Sequence, residues 1–216
     1  MEKKLISLVT PCYNEEGNVA VLYEQVKAII EGQLNKYDYE HIFIDNASSD
    51  NTVEILKEIA KNDNNVKIIV NSRNFGHLRS PVYAMMQASG DVVISLVADL
   101  QDPPEMIVDF IRSYEEGYNI VLGIKESSKE NSLMFKIRGL YYSLLNKVSD
   151  TEIYENYTGF GLYDKKTIEA LQKMPDAYPF FRGMIAEIGY KVKKINYKQP
   201  IRYKGVTKNN FYTLYD

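Results

Sequence analysis

A single cysteine, Cys12, stands in the 216 residues, so no internal disulfide can form and a reducing compartment is expected. Histidine is nearly as scarce. His41 and His77 are isolated, without the companion ligands of a zinc site. No window approaches the ~18 consecutive apolar residues of a membrane span. The opening run from Met1 to Val9 carries charges but too little apolar length for a secretory signal. There is no Gly-x-Gly-x-x-Gly after the first apolar run and no Gly-Lys-Ser/Thr loop, which counts against a dinucleotide dehydrogenase and a P-loop NTPase. A Gly-x-Ser-x-Gly nucleophile elbow is also missing. No linker, repeat or low-complexity tract divides the chain, so residues 1–216 are expected to form one domain.

What is present is an alternation. Apolar, largely β-branched runs at Leu5–Val9, His41–Ile44, Val66–Val70, Val92–Val97 and Ile120–Ile124 read as strands. Helical stripes lie between them: Val19, Leu22, Val26 and Ile29, then Val53, Leu56, Ile59 and Ala60, then Ile107, Phe110, Ile111 and Tyr114. A longer helix is predicted from about Leu133 to Val148. Strands alternating with helices predict an α/β fold, a mostly parallel twisted sheet with helices on both faces. After about Lys125 the alternation fades.

The segment Gly90-Asp-Val-Val-Ile-Ser-Leu-Val-Ala-Asp99-Leu-Gln101-Asp102-Pro-Pro-Glu105 carries the most chemistry. Its apolar run reads as a buried central strand that stops in two carboxylates, an amide and a Pro-Pro pair. Ligands of open α/β sheets bind at the carboxyl ends of the strands. Asp99, Gln101 and Asp102 are therefore oxygen donors placed where a hard cation and a diphosphate could meet, since Mg²⁺ or Mn²⁺ is usually held by one or two carboxylates plus substrate phosphates. A solvated acidic turn is the plainer alternative. The neighbouring strand ends add weight: Pro11-Cys-Tyr-Asn14-Glu15-Glu16, Asp45-Asn46-Ala-Ser48-Ser-Asp50 and Arg73-Asn74-Phe-Gly76 are all polar loops. Each could cap the helix that follows it. Four in register suggest one ligand lying across the edge.

With these motifs the chain resembles family 2 glycosyltransferases of the GT-A (Rossmann-like) fold, and within them the dolichyl- or undecaprenyl-phosphate sugar transferases. Ala-Asp-Leu-Gln-Asp-Pro-Pro-Glu is the most specific element. The resemblance implies that Pro11, Tyr13, Glu15, Asp45, Asn74 and Ala98 hold the nucleotide of a nucleotide-diphosphate sugar, a UDP-sugar foremost. It implies that Asp99 and Gln101 bind Mg²⁺ or Mn²⁺, Asp99 being catalytic. Two positions depart from the family pattern. Val97 replaces the first carboxylate of the usual Asp-x-Asp, and Asn46 replaces the second Asp after the second strand. One lost carboxylate should weaken metal binding without abolishing a site that also draws on phosphate oxygens.

On the acceptor side, Glu155-Asn-Tyr-Thr158-Gly-Phe160 resembles the Asp-x-x-Ser-Gly-Phe loop of lipid-phosphate transferases, although Gly-Phe-Gly read alone is a turn. Inverting transfer to an alcohol needs a general base, for which Glu155 and Asp164 are the candidates. A lipid monophosphate is already largely dianionic at neutral pH and needs cations instead. Arg138, Arg182 and Arg202, with Thr158, are the candidates to hold it. Residues 182–216 carry a net charge of +6 against −9 for the first 181, a polarity suited to phosphate or to an anionic membrane surface. The expected organisation is a nucleotide-sugar half over about 1–124 and an acceptor half over about 125–216. The expected function is sugar transfer to a polyprenyl phosphate in cell-envelope glycan synthesis, at the cytoplasmic face of the membrane. The alternatives are transfer to a sugar hydroxyl of a surface polysaccharide and a non-catalytic sugar-nucleotide-binding module. No nucleic-acid partner is expected, and homo-oligomerisation stays open.

Overall fold

The predicted runs fold as alternating strands and helices in a computed structural model that describes residues 3–126, 154–174 and 179–204. In chain order the elements are β1 (Leu5–Cys12), α1 (Val19–Gln33), β2 (Asp38–Asp45), α2 (Thr52–Asn62), β3 (Val66–Val70), α3 (Gly76–Met86), β4 (Val92–Ser95), α4 (Met106–Glu115) and β5 (Ile120–Lys125). They continue with β6 (Tyr157–Asp164), α5 (Lys165–Gln172), α6 (Phe181–Ile188) and β7 (Val192–Tyr197). The strands form one seven-stranded sheet in the order β3-β2-β1-β4-β6-β5-β7. Only β6 runs against its neighbours, so the sheet is mostly parallel.

Period-two alternation sends side chains to both faces, and both are buried. Ile6, Leu8, Phe43, Ile94, Phe160 and Leu162 meet α1, α2 and α4 on one side. Val9, Ile42, Ile44, Val93, Leu122 and Tyr163 meet α3, α5 and α6 on the other. The α/β architecture expected from the sequence is the one observed.

Local differences have physical causes. β4 ends at Ser95, two residues before the apolar run does, because the chain leaves the sheet toward the metal-loop candidates. Helix α3 had no expectation attached to it; Gly76 opens it and Pro81 sits inside it, both poor helix signals. The Gly-Phe-Gly element is not a turn but part of β6. Gly159 takes a left-handed φ of 103°, and a Cβ on Gly161 would collide with the Val121 carbonyl oxygen of β5, so the glycines serve a tight strand pairing. The helix expected at 133–148, and Arg138 with it, lies outside the described residues.

At the amino edge of the sheet, polar groups are buried for structure. Glu40 accepts from the Ser7 hydroxyl at 2.5 Å and the Ser89 amide at 2.7 Å and pairs with Lys67. His41 is fully buried, stacked on Phe43 with centroids 3.9 Å apart, its Nε2 2.9 Å from Thr10 Oγ1. Its Nδ1 has no hydrogen-bond partner among the described residues, so an added proton would find no acceptor. Burial lowers its pKa to about 3. Below the ordinary histidine range the unfolded chain therefore binds a proton that the folded chain refuses. This contribution is intact above pH 6.5 and is lost as pH falls toward 3. Relative to wild type, His41→Leu should thus gain about 2 kcal/mol between pH 7 and pH 5, read from urea unfolding at both pH values. A constant difference between the two proteins would show that His41 titrates normally.

Candidate active site

The described non-glycine residues with left-handed φ are Asn14 (54°), Ala47 (62°), Leu100 (62°) and Asn156 (56°). All four lie in loops at the carboxyl edge of the parallel strands, where strained backbone is typical of a ligand site. The loops after β1 and β2 are stitched together. Asn14 Oδ1 accepts from the Ser49 amide at 2.7 Å, the Asn14 amide donates to Ser48 Oγ at 2.8 Å, and the Glu15 amide donates to Thr52 Oγ1 at 2.8 Å.

Asp45 is fully buried and accepts from both the amide (2.9 Å) and the hydroxyl of Ser48. It shapes the loop that follows β2 at the carboxyl edge. Just ahead of α2, whose N-cap is Asn51, Asp50 accepts from the Thr52 amide and hydroxyl. Of the other expected nucleotide contacts, Tyr13 is exposed at the edge and Pro11 pairs opposite Ile44 near the end of β1. Ala98 is buried and offers only its backbone. Asn74 is engaged within the protein: its Oδ1 accepts from Asn46 Nδ2 at 2.9 Å and from the Gly76 amide at 2.8 Å. Asn46, in turn, donates to the Gly76 carbonyl and accepts from Asn71 Nδ2 and the Phe75 amide.

The centre of the edge is ionic. Arg202, from the segment after β7, pairs through Nη2 with Glu15 and through Nη1 with Asp99 Oδ2 at 3.6 Å. Its Nε donates to the Lys204 carbonyl at 2.9 Å, and Asn18 donates to the same carbonyl at 3.2 Å. Asp99 also accepts from the Gln101 amide at 3.1 Å, which folds Gln101 back beside it. Burial holds the Glu15 carboxyl above its ordinary range, with the Asp99 charge adding, while Asn18 and Arg202 oppose the rise. Arg202, expected on an acceptor phosphate, lies between the carboxylates of the loops after β1 and β4, which need a cation.

Asp102 is not at the open edge. It is 4% exposed, accepts from the Val97 amide at 3.1 Å and from the Tyr197 hydroxyl at 3.0 Å. Burial pushes its carboxyl up to about 7. Sequence reading did not anticipate Tyr197; the last residue of an irregular apolar run carries no signal of its own.

At the start of β6, Glu155 and Thr158 are exposed at the same carboxyl edge, and the Asn156 carbonyl accepts from the Lys125 amide at the end of β5. Beneath them the Tyr157 and Tyr163 hydroxyls pair, and Tyr163 donates to the Gly159 carbonyl at 2.8 Å. The Tyr157 phenol is raised by burial, while its bond to Tyr163 and the Arg182 charge from α6 oppose the rise. Asp164 lies elsewhere. It pairs with Val92 at the far, amino edge of the sheet and caps α5, accepting from the Thr167 amide (2.8 Å) and hydroxyl (2.7 Å) and from Asn119 at 2.7 Å. A base there is a sheet's length from the edge loops, so Asp164 is a helix cap and not a catalytic candidate.

Among the described residues no helix is long and apolar enough to cross a membrane. The chain is 34% identical over 203 residues to YkcC, a glycosyltransferase of Bacillus subtilis (strain 168), covering 94% of this chain and 62% of the relative. It is 32% identical over 212 residues to a prophage bactoprenol glucosyl transferase homologue of Escherichia coli (strain K12), covering 98% and 68%. It thus spans about two thirds of the length of these relatives. Among solved structures, glucosyl-3-phosphoglycerate synthase from Mycobacterium tuberculosis, in complex with Mn²⁺, UDP and phosphoglyceric acid, superposes with a TM-score of 0.63 at 19% identity, over 94% of this chain and 72% of that one. The glycosyl transferase family 2 model matches residues 7–185, and with that match, the GT-A sheet and the relatives in hand, the chain belongs to glycosyl transferase family 2.

Proposed function

We propose that the carboxyl edge binds a nucleotide-diphosphate sugar, foremost a UDP-sugar, and that the sugar is transferred with inversion to a polyprenyl phosphate at the cytoplasmic membrane face. The observation that carries this is the convergence of Glu15 and Asp99, from two separate strand ends, on one guanidinium. Such a site accommodates a cation next to a diphosphate. Relatives named for bactoprenol glucosyl transfer support the acceptor class, and the +6 C-terminal segment supports an anionic surface.

The donor set fits Mg²⁺ or Mn²⁺. Among the described residues no three His, Cys, Asp or Glu side chains gather as a metal cage, whereas Asp99, with Gln101 two residues on, offers the one carboxylate and one amide oxygen that a shared protein–phosphate site needs. Bound there, the ion would neutralise the leaving diphosphate. Arg202, tied to Glu15 and permanently charged, is placed to turn its remaining N–H groups to that diphosphate. The left-handed loops hold these groups in place before the substrate arrives, which is where electrostatic catalysis gains most. An acceptor phosphate needs no base; Thr158, Arg182 and Arg138 would position it. Glu155, exposed at the same edge, is the base available to a hydroxyl acceptor.

Two outcomes test this. Asp99→Ala should lower Mn²⁺-dependent UDP release by roughly 10²-fold or more, while UDP affinity without metal, measured by calorimetry, changes little. Retention of metal-stimulated turnover would remove Asp99 from the site. Arg202→Gln and Arg182→Ala should behave differently from each other. The first lowers donor hydrolysis and transfer together, because it acts on the diphosphate. The second lowers transfer to undecaprenyl phosphate and spares donor hydrolysis. Identical losses in both variants would put both arginines on one side of the reaction, and transfer to free oligosaccharide with none to the lipid would replace the acceptor.

A further inference from the structure

Asn18 is the N-cap residue of α1, a position where an asparagine ordinarily turns its side-chain oxygen onto a free amide of the helix. Here no such bond forms, and the Glu15 carbonyl takes the Asn18 and Val19 amides instead, at 2.9 and 3.1 Å. The helix start is therefore satisfied without the Asn18 side chain. That side chain, 2% exposed, serves a different pair of groups. Its Nδ2 donates to Glu15 Oε2 at 2.5 Å and to the Lys204 carbonyl at 3.2 Å. Arg202 touches the same two partners: its Nη2 pairs with Glu15 Oε1, and its Nε donates to the Lys204 carbonyl at 2.9 Å. Asn18, Glu15, Arg202 and the Lys204 carbonyl thus close a ring. Gly17 makes room for it, since a Cβ there would stand 3.0 Å from the Lys204 Cδ.

We propose that Asn18 is a positioning residue of the donor site, fixing the Glu15 carboxylate and the backbone of residues 202–204 so that Arg202 meets a donor diphosphate in one orientation. This rests on the reading of the edge as a nucleotide-sugar site. Several observations set it apart from ordinary core satisfaction. Both partners of the amide are acceptors, so its nitrogen must face them and the side chain has one usable orientation. Its Oδ1 is left buried with no hydrogen-bond partner among the described residues, a cost that a helix cap or an apolar packing residue would avoid. The guanidinium reaches Asp99 only at 3.6 Å, so the ring holds it more closely than the β4 side does. Burial raises the Glu15 carboxyl, and the Asn18 hydrogen bond is the first of the groups opposing that rise, so the amide also keeps the carboxylate charged for its cation. A guanidinium fixed before the substrate arrives needs no reorganisation when the diphosphate begins to leave.

The test compares Asn18→Ala, Asn18→Asp and Gly17→Leu in the full chain, with trypsin, UDP and uridine as probes. Asn18→Asp keeps the volume but turns acceptors toward Glu15 and the Lys204 carbonyl. Gly17→Leu, at a partly exposed position, lifts Lys204 from its seat without touching the Asn18 side chain, and decides the matter if the Asn18 variants do not fold. Expected in all three is trypsin cleavage after Arg202 roughly 5-fold faster than in wild type. UDP affinity should fall by roughly 10-fold while uridine affinity stays within about twofold, with Asn18→Asp at least as impaired as Asn18→Ala. Adding Asn18→Ala to Arg202→Gln should weaken UDP little further, because both act through one guanidinium. Wild-type trypsin resistance and UDP affinity in these variants would overturn the proposal. So would wild-type behaviour of Asn18→Asp beside an impaired Asn18→Ala, which marks a space-filling role, or full additivity with Arg202→Gln. Parallel losses of uridine and UDP affinity that track melting temperature would overturn it as a general structural effect. Failure of the donor reading shows separately, as a wild-type chain that binds no UDP, and cleavage after Arg202 then still decides whether Asn18 holds the segment.

Discussion

Two carboxylates that face the same largely buried space require a positive charge between them, and much of the carboxyl edge follows from that requirement. Glu15 leaves β1 and Asp99 leaves β4, adjacent strands in the sheet. Placing two carboxylates together away from water is costly unless a cation lies between them. Arg202 supplies the counter-charge, and in doing so pulls the segment beyond β7 across the loops of β1 and β4. Even so, burial leaves the Glu15 carboxyl above its ordinary range.

Where the sequence spoke through periodicity, it was legible. The strands β1 to β5 and the helices α1, α2 and α4 follow from runs and stripes that burial alone explains. The second half was legible in its motifs but not in its elements. β6 carries Gly159 and Gly161 for close approach to β5, which in a sequence reads as a turn, and β7 is an edge strand whose lysines break the apolar run. Long-range ion pairs leave no local trace at all. Arg202 is read from its neighbours in sequence as an acceptor cation, and nothing local announces its bond to Glu15, 187 residues earlier. Asp164 failed for the complementary reason. Its place beside a substrate-loop motif suggested chemistry, but eight residues of β6 carry it to the opposite edge, where a helix start needs a carboxylate.

The two departures from the family pattern look different once their surroundings are known. Asn46 donates two hydrogen bonds and accepts two within the loops after β2 and β3. An aspartate there could not donate, and its oxygen would face the Asn74 side-chain oxygen and the Gly76 carbonyl. The amide is fitted to this loop set and carries no sign of lost activity. Val97 differs. Its side chain is partly exposed at the edge while its amide is bound to Asp102. Asn46 thus has a local structural reason, whereas the Val97 side chain has none in the structure, since any residue would supply the amide that Asp102 binds.

Arg202 also links parts of the chain that sequence separates. Lys204 and Tyr203 follow it immediately, the first accepting from Asn18 at the start of α1, the second donating to the Asp99 carbonyl at 3.4 Å. The short segment is therefore held by charge at one residue and by backbone at the next two, over the loops after β1 and β4. One guanidinium and two backbone groups are enough to tie the chain beyond β7 to two loops far earlier in sequence, because each bond falls on a group that those loops already hold in place.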